Sequence, residues 1–127
     1  MPHIPVLLQE TIKILEPGPH KIFIDATYGG GGHSKALIEK GAKVIAFDWD
    51  PTTESQQKNI RIIHDNFAHI SKHALPKVNG ILADLGISSL QLDHPVRGFS
   101  FRYKDAPLDM RICKEGATAA DIVNGAT

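Results

Sequence analysis

The stretch IDATYGGGGHSKALIEK, Ile24 to Lys40, constrains the fold of this chain more than any other, because it runs from a strand through a glycine-rich turn into an amphipathic helix. Gly29 to Gly32 remove every side chain where the backbone bends, so a ligand can lie against main-chain N–H groups at the helix start. The turn lacks the lysine that holds β- and γ-phosphates in a phosphate loop. It also lacks the regular glycine spacing of dinucleotide binders, although Gly30 and Gly32 approximate part of it. A small adenosine-bearing ligand such as a methyl donor fits this turn better than NAD or ATP.

The acidic residues around the turn sharpen that reading. AKVIAFDWD reads as a second strand ending in Asp48, with Asp50 two positions on and pointing the same way. In a doubly wound sheet, a carboxylate at the end of the strand after the glycine turn accepts hydrogen bonds from ribose hydroxyls. Asp48 takes that role here, with capping of the following turn as its structural alternative, while Phe47 and Trp49 face away to pack or stack. Asp25 either meets the ligand's amino group or holds backbone N–H groups of the glycine turn; sequence does not separate the two.

A chain of 127 residues is one domain at most, long enough for a core but short for a complete doubly wound enzyme. Its formal net charge is zero, so any contact with nucleic acid must come from a local patch. Cys113 is the sole cysteine, which excludes an internal disulfide and a cysteine-based metal cluster. The histidines are scattered over different elements without a metal-ligand pattern, so no metal is expected, and His33, in the first helical turn after the glycines, is assigned to ligand contact. No apolar run approaches the ~20 residues that span a bilayer. A soluble, reducing compartment is the expectation.

Along the chain, IPVLLQETIKILEP begins extended and continues as a helix with a stripe through Leu8, Ile12 and Leu15, stopped by Pro17-Gly18-Pro19. Strands are expected at Lys21 to Asp25, Lys43 to Asp48 and Ile60 to His64, with a helix from Ser34 to Lys40 closed by Gly41. A fourth, buried-type strand ILADLG ends at Asp84, on the same edge as Asp25 and Asp48. The connection Pro51 to Asn59 is uncomfortable, since a parallel crossover needs about a dozen residues. Either the crossover is minimal and poorly packed, or part of a helix has been lost, and the sequence favours loss.

DLGISSLQLDHPVRGFSFRYKDAPLDMR, Asp84 to Arg111, reads as an active-site loop, being long and polar with glycines, aromatics and charges interleaved. Gln91 can read an adenine edge or a carboxylate, while Ser88 and Ser89 can cap the short helix SSLQLD. Arg97, Phe99, Phe101, Arg102 and Tyr103 form either a basic, aromatic surface for a flipped base and its phosphates or a loop that anchors its own aromatics. Asp105 and Asp109 either join substrate recognition or pair with Arg102 and Arg111.

HIPVLLQE, DATYGGGGHS, AFDWDP, IIHDNF, ILADLGISSLQLD, RGFSFRYKDAPLDMR and GATAADIVN together resemble the ribosomal RNA small-subunit methyltransferase H family, in order and over nearly the whole chain. The resemblance implies transfer of a methyl group from S-adenosyl-L-methionine to N4 of a cytidine in small-subunit ribosomal RNA. Carried over by position, it implies donor binding by Gly31, Gly32, His33, Asp48, Phe67, Asp84 and Gln91. Phe67 enters through the resemblance alone. Asp84 and, on the nucleobase side, Asp109 are the implied catalytic carboxylates.

Departures accompany the match. Members of that family are longer, with an inserted helical domain and further strands, and they usually carry a longer helix after the DxDP segment. Trp49 stands where arginine is common. The expected architecture is therefore a partial, Rossmann-like class I methyltransferase fold, α/β with a doubly wound, mostly parallel and truncated sheet. Within 1–127 it divides into a helical lead-in at 1–17, donor-binding strands and helices at 21–84 and a loop region at 85–115. The implied partner is small-subunit ribosomal RNA or the ribosomal subunit, with no membrane and a homodimer allowed. The implied location is the cytoplasm of a bacterium or an organellar matrix in a eukaryote. A noncatalytic remnant that docks RNA or protein is the alternative, and a dinucleotide-dependent oxidoreductase is disfavoured by the long DLGISSLQLD loop.

Overall fold

The computed structural model describes residues 5–126, which divide into two compact units, the first ending at Leu85 and the second beginning at Gly86. The start of the expected lead-in, residues 1–4, lies outside the described residues. In the first unit, helix α1 (Leu8–Leu15) precedes strand β1 (Ile22–Asp25), helix α2 (Gly32–Glu39), strand β2 (Lys43–Asp48), strand β3 (Ile60–His64), a 3-10 helix at Phe67–Lys72 and strand β4 (Gly80–Leu82). The four strands make one sheet in the order β3-β2-β1-β4, and every pairing is parallel.

Strand alternation explains how two layers are covered. Phe23, Val44 and Ala46 point to one face, where Leu37 of α2 and Ala42 complete a buried cluster joined by Ile12, Leu15, Ile38, Ile60 and Ile62. Ile24, Ile45 and Phe47 point to the other, against Ile63, Ile70, Leu75 and Val78. The stripe read on α1 is the face it packs, with Leu8, Ile12 and Leu15 half-buried while Ile14 is exposed. Glu16 turns left-handed at the helix end, and the prolines after it have no N–H to continue the ladder.

Several boundaries differ from the sequence reading. Val6 and Leu7 form a turn, not an extended lead-in. Helix α2 begins at Gly32, because Gly31 takes the left-handed conformation of its N-cap and lets the helix start inside the glycine run. Strand β4 ends at Leu82, so Asp84 lies just beyond it, where its backbone N–H donates to Thr27 Oγ1 at 2.6 Å instead of to a strand. Residues 51–59 contain no helix, yet β2 and β3 pair in register from Val44↔Ile60 to Asp48↔His64. The crossover is thus minimal, and a groove of about 490 Å³ lies open between Ile38 and Glu39 on one side and Gln56 to Asn59 on the other.

The second unit holds helix α3 (Ser89–Leu92) and helix α4 (Ala119–Gly125), joined by a long irregular segment. Both helices start with a reciprocal capping box, Ser88 with Gln91 and Thr118 with Asp121.

Candidate functional site

The carboxyl ends of the parallel strands share one edge, and the polar residues of the first unit are tied together there. Asp25, at the end of β1, is only 1% exposed. Its Oδ1 accepts from the Thr27 N–H at 3.1 Å, and its Oδ2 accepts from the Ser34 hydroxyl at 2.6 Å. Burial pushes the Asp25 carboxyl above its ordinary range, against the downward pull of those hydrogen bonds. Among the described residues, Asp25 holds no N–H of Gly29 to Gly32; it fastens the Thr27 N–H, two residues before them, to Ser34 of α2.

Asp48, half-buried at the end of β2, holds the far side of the same turn. Its Oδ2 accepts from the Gly29 N–H at 3.0 Å and its Oδ1 from the Asp50 N–H at 2.9 Å. It therefore caps the turn that follows it, and each oxygen keeps a second lone pair for a ligand hydroxyl. The Tyr28 N–H donates to the Phe47 carbonyl at 3.0 Å, which fixes the turn to β2 by the main chain as well. A side chain at Gly31 would stand 2.6 Å from the Tyr28 hydroxyl in a left-handed backbone, so that cradle is kept clear by both sterics and conformation.

His33, in the first turn of α2, is nearly buried, with Nε2 3.0 Å from the Val6 carbonyl oxygen. A carbonyl only accepts, so Nε2 carries the hydrogen and Nδ1 faces the Asp84 carboxylate, 3.9 Å away. Thr27 completes the bridge, its hydroxyl oxygen receiving the Asp84 N–H. Phe67 opens the 3-10 helix three residues past β3 and is 43% exposed, while Asn66 caps that helix by accepting from the Ala68 N–H. Gly31, Gly32, His33, Asp48, Phe67 and Asp84 are thus on or just beyond one edge of one sheet. Thr27 and Ser34 are the residues that sequence reasoning passed over. Both lie inside the quoted glycine stretch, but nothing in their type marks them as the hydroxyls that hold two strand-end acids.

Gln91 and Asp109 lie in the second unit. The Gln91 side-chain oxygen accepts from the Ser88 N–H at 3.0 Å, and Ser88 rather than Ser89 caps the helix. The Gln91 amide hydrogens are left for other contacts. Asp109 pairs with Arg111 through both oxygens, at 2.8 Å each, and those hydrogen bonds hold its carboxyl down at about 2. Arg111 also donates to the Lys114 and Gly116 carbonyls, and Arg97 donates to the carbonyls of Arg111 and Ile112. Arg97 stands 6.0 Å from the centre of the Phe99 ring. Of the two readings of the aromatic loop, self-anchoring therefore describes Arg97, Phe99 and Tyr103, whose hydroxyl donates to the Asp93 carbonyl. Asp105 is exposed. Among the described residues no histidine, cysteine and acid group is arranged to hold a metal ion.

A parallel sheet ordered β3-β2-β1-β4, with a glycine turn after β1 and a carboxylate closing each of its two central strands, is a partial Rossmann-like α/β fold of the class I methyltransferase type. The chain belongs to the MraW methylase family, whose sequence profile matches residues 1–127. It is 45% identical over 134 residues to the ribosomal RNA small subunit methyltransferase H of Rhizobium johnstonii, covering 98% of this chain and 39% of that protein. The namesake from Agrobacterium fabrum is 44% identical over 133 residues, with the same coverage of 98% and 39%. The chain thus spans about two fifths of the length of these relatives. A Streptococcus mutans structure, described as a methyltransferase in complex with SAH, aligns at 26% identity with a TM-score of 0.47, over 62% of this chain and 53% of its own.

Proposed function

We propose that this chain is the donor-binding part of an S-adenosyl-L-methionine-dependent methyltransferase that acts on N4 of a cytidine in small-subunit ribosomal RNA. The observation that carries the reading is the tie between the glycine turn and Asp48: the carboxylate beside the turn is held by the Gly29 N–H and still has lone pairs to accept ribose hydroxyls. The residues present fit that ligand by chemistry. Asp48 is the hydroxyl acceptor, the exposed face of Phe67 is a stacking surface for adenine, and the first turn of α2 offers backbone N–H groups to a carboxylate. Gln91, in the second unit, is assigned to donor binding by the family resemblance alone. The partner is the ribosomal RNA or subunit, and in a bacterium the work is done in the cytoplasm.

Bound S-adenosyl-L-methionine supplies an electrophilic methyl group on a positively charged sulfur. What the chain must supply is orientation of a poor nucleophile, because the exocyclic amine of cytosine delocalises its lone pair into the ring. Asp84, whose side chain is partly exposed beside His33, accepts a hydrogen bond from that amine or from the donor's ammonium. A carboxylate there makes the lone pair more available and offsets the positive charge that develops as the N–C bond forms. Asp109 serves the nucleobase side only if its pair with Arg111 opens. No general base is assigned, since the proton can leave after the methyl group has moved.

Calorimetric titration of the folded chain with S-adenosyl-L-methionine tests this reading. Saturable heat that disappears in Asp48→Ala, with an unchanged circular dichroism spectrum, is the expected result. A folded wild-type chain that gives no binding heat would sink it. One observation favours the second reading, a noncatalytic module of methyltransferase origin: both oxygens of Asp109 are already held by Arg111. That reading predicts RNA or protein binding that survives Asp48→Ala.

A further inference from the structure

We infer that Phe101 and Arg102 form a contact for single-stranded RNA, the phenyl ring stacking on an unpaired base and the guanidinium meeting an adjacent phosphate. The inference deepens the reading of the substrate as RNA and rests on it. Ser100 to Tyr103 form a hydrogen-bonded turn, with the Tyr103 N–H donating to the Ser100 carbonyl at 3.4 Å and the Arg102 N–H to the Ser100 hydroxyl at 3.2 Å. Phe101 and Arg102 are its two central residues and both point into solvent, Phe101 with its whole side chain exposed.

The turn is built on a fixed base. Tyr103 is fastened to Asp93, Arg97 to the carbonyls of Arg111 and Ile112, and the Met110 N–H donates to the Arg97 carbonyl at 3.0 Å. The aromatic and basic residues of this segment therefore divide: Arg97, Phe99 and Tyr103 hold the segment together, and Phe101 and Arg102 are presented by it. A fully exposed phenylalanine at a turn tip contributes nothing to a core and leaves its whole ring open to stack on a partner.

Charge selects the kind of partner. Between Arg97 and Arg111 the chain carries Arg97, Arg102, Lys104 and Arg111 against Asp105 and Asp109, and Asp109 is neutralised by Arg111, in a protein of zero net charge. Arg102 pairs with Asp93 at 3.3 Å, but both side chains are well exposed. Such a pair is weak in water, and a phosphate can replace the carboxylate. An aromatic ring beside a guanidinium on a basic segment matches the repeating unit of a single strand, a base and its phosphate.

The test is fluorescence anisotropy of the full chain with a short fluorescein-labelled single-stranded RNA containing cytidine, run beside the calorimetric titration with S-adenosyl-L-methionine. Phe101→Ala should weaken RNA binding by about tenfold, the order of one lost stacking contact. Phe101→Trp should restore it, and Arg102→Ala should weaken binding and flatten its salt dependence by roughly one counterion. Donor binding should stay the same in all three. Equal RNA affinity of Phe101→Ala and wild type overturns the inference, as does failure of the wild-type chain to bind RNA, which would leave the tip to a protein partner. Absence of donor binding with the Phe101 effect intact overturns the methyl-donor reading and supports this contact.

Discussion

Asp25 shows how much of the glycine turn is decided beneath it. Its two oxygens serve one backbone N–H and one hydroxyl; Asp25 and Ser34 are buried, and Thr27 is half-buried at the close of β1. Asp25→Ala leaves the Thr27 N–H and the Ser34 hydroxyl without partners, so chemical denaturation should show a loss of about 1–3 kcal/mol. Asp25→Asn keeps an oxygen for Thr27 and presents an amide donor to the Ser34 oxygen, so it should retain most of the stability. The variant should also lose a pH dependence. Because the folded carboxyl titrates above its unfolded value, Asp25 makes the wild type less stable as pH rises through that interval. Asp65 and Asp109 have the opposite sign. Hydrogen bonds from His73 and His69 hold Asp65 at about 2, and those from Arg111 hold Asp109 at about 2, against an ordinary 3.8. Their contribution is complete above that ordinary value and is lost as pH falls toward 2. Acid denaturation of Asp65→Asn and Asp109→Asn should therefore begin from a lower stability and fall less steeply between those limits.

At the scale of elements, the parts that periodicity and punctuation control were legible in the sequence. Strands β2 and β3 have the limits that their apolar runs and flanking polar residues predict, and the α1 stripe is the half-buried face that packs against the sheet. What was not legible depends on long-range partners. Strand β4 stops early because the Asp84 N–H goes to Thr27, which is 57 residues away, and no local pattern announces that bond. The 3-10 helix at Phe67–Lys72 is too short for a period, and its signal was the Asn66 cap alone. The role of Asp25 was undecidable because carboxylates that bind a turn and carboxylates that bind a ligand occupy the same place in sequence. In the second unit, Gly98 has φ +74, and a side chain there would run into the Pro107 carbonyl and stand 2.9 Å from the Asp109 nitrogen. Both neighbours are backbone, so they cannot swing aside. Gly98→Ala should displace the Asp109–Arg111 segment and lower the protease resistance of residues 97–116, while amide exchange in β1 and β2 stays at the wild-type rate.

For the molecule as a whole, the connections between strands set an order of assembly. β2 joins β3 through a short crossover without a helix, and β1 joins β2 across α2, whereas β1 meets β4 only by closing a span of 57 residues, as the Asn79 to Ile22 bond records. Closing a long loop costs more chain entropy, and contacts of high sequence separation form late. Pulse-labelled hydrogen exchange during refolding should protect the β1, β2 and β3 amides first and those of β4 last; simultaneous protection of all four strands would contradict this order. Asp84 travels with β4. The edge that gathers Asp48, His33 and Asp84 is consequently finished in the final folding step, so a nascent chain with three strands in place has a turn and a sheet but no complete set of acids. A small molecule that touches Asp84 would then act on folding itself, as a latch on the last strand, and a cell short of that molecule would hold more of the chain in its open, protease-sensitive form.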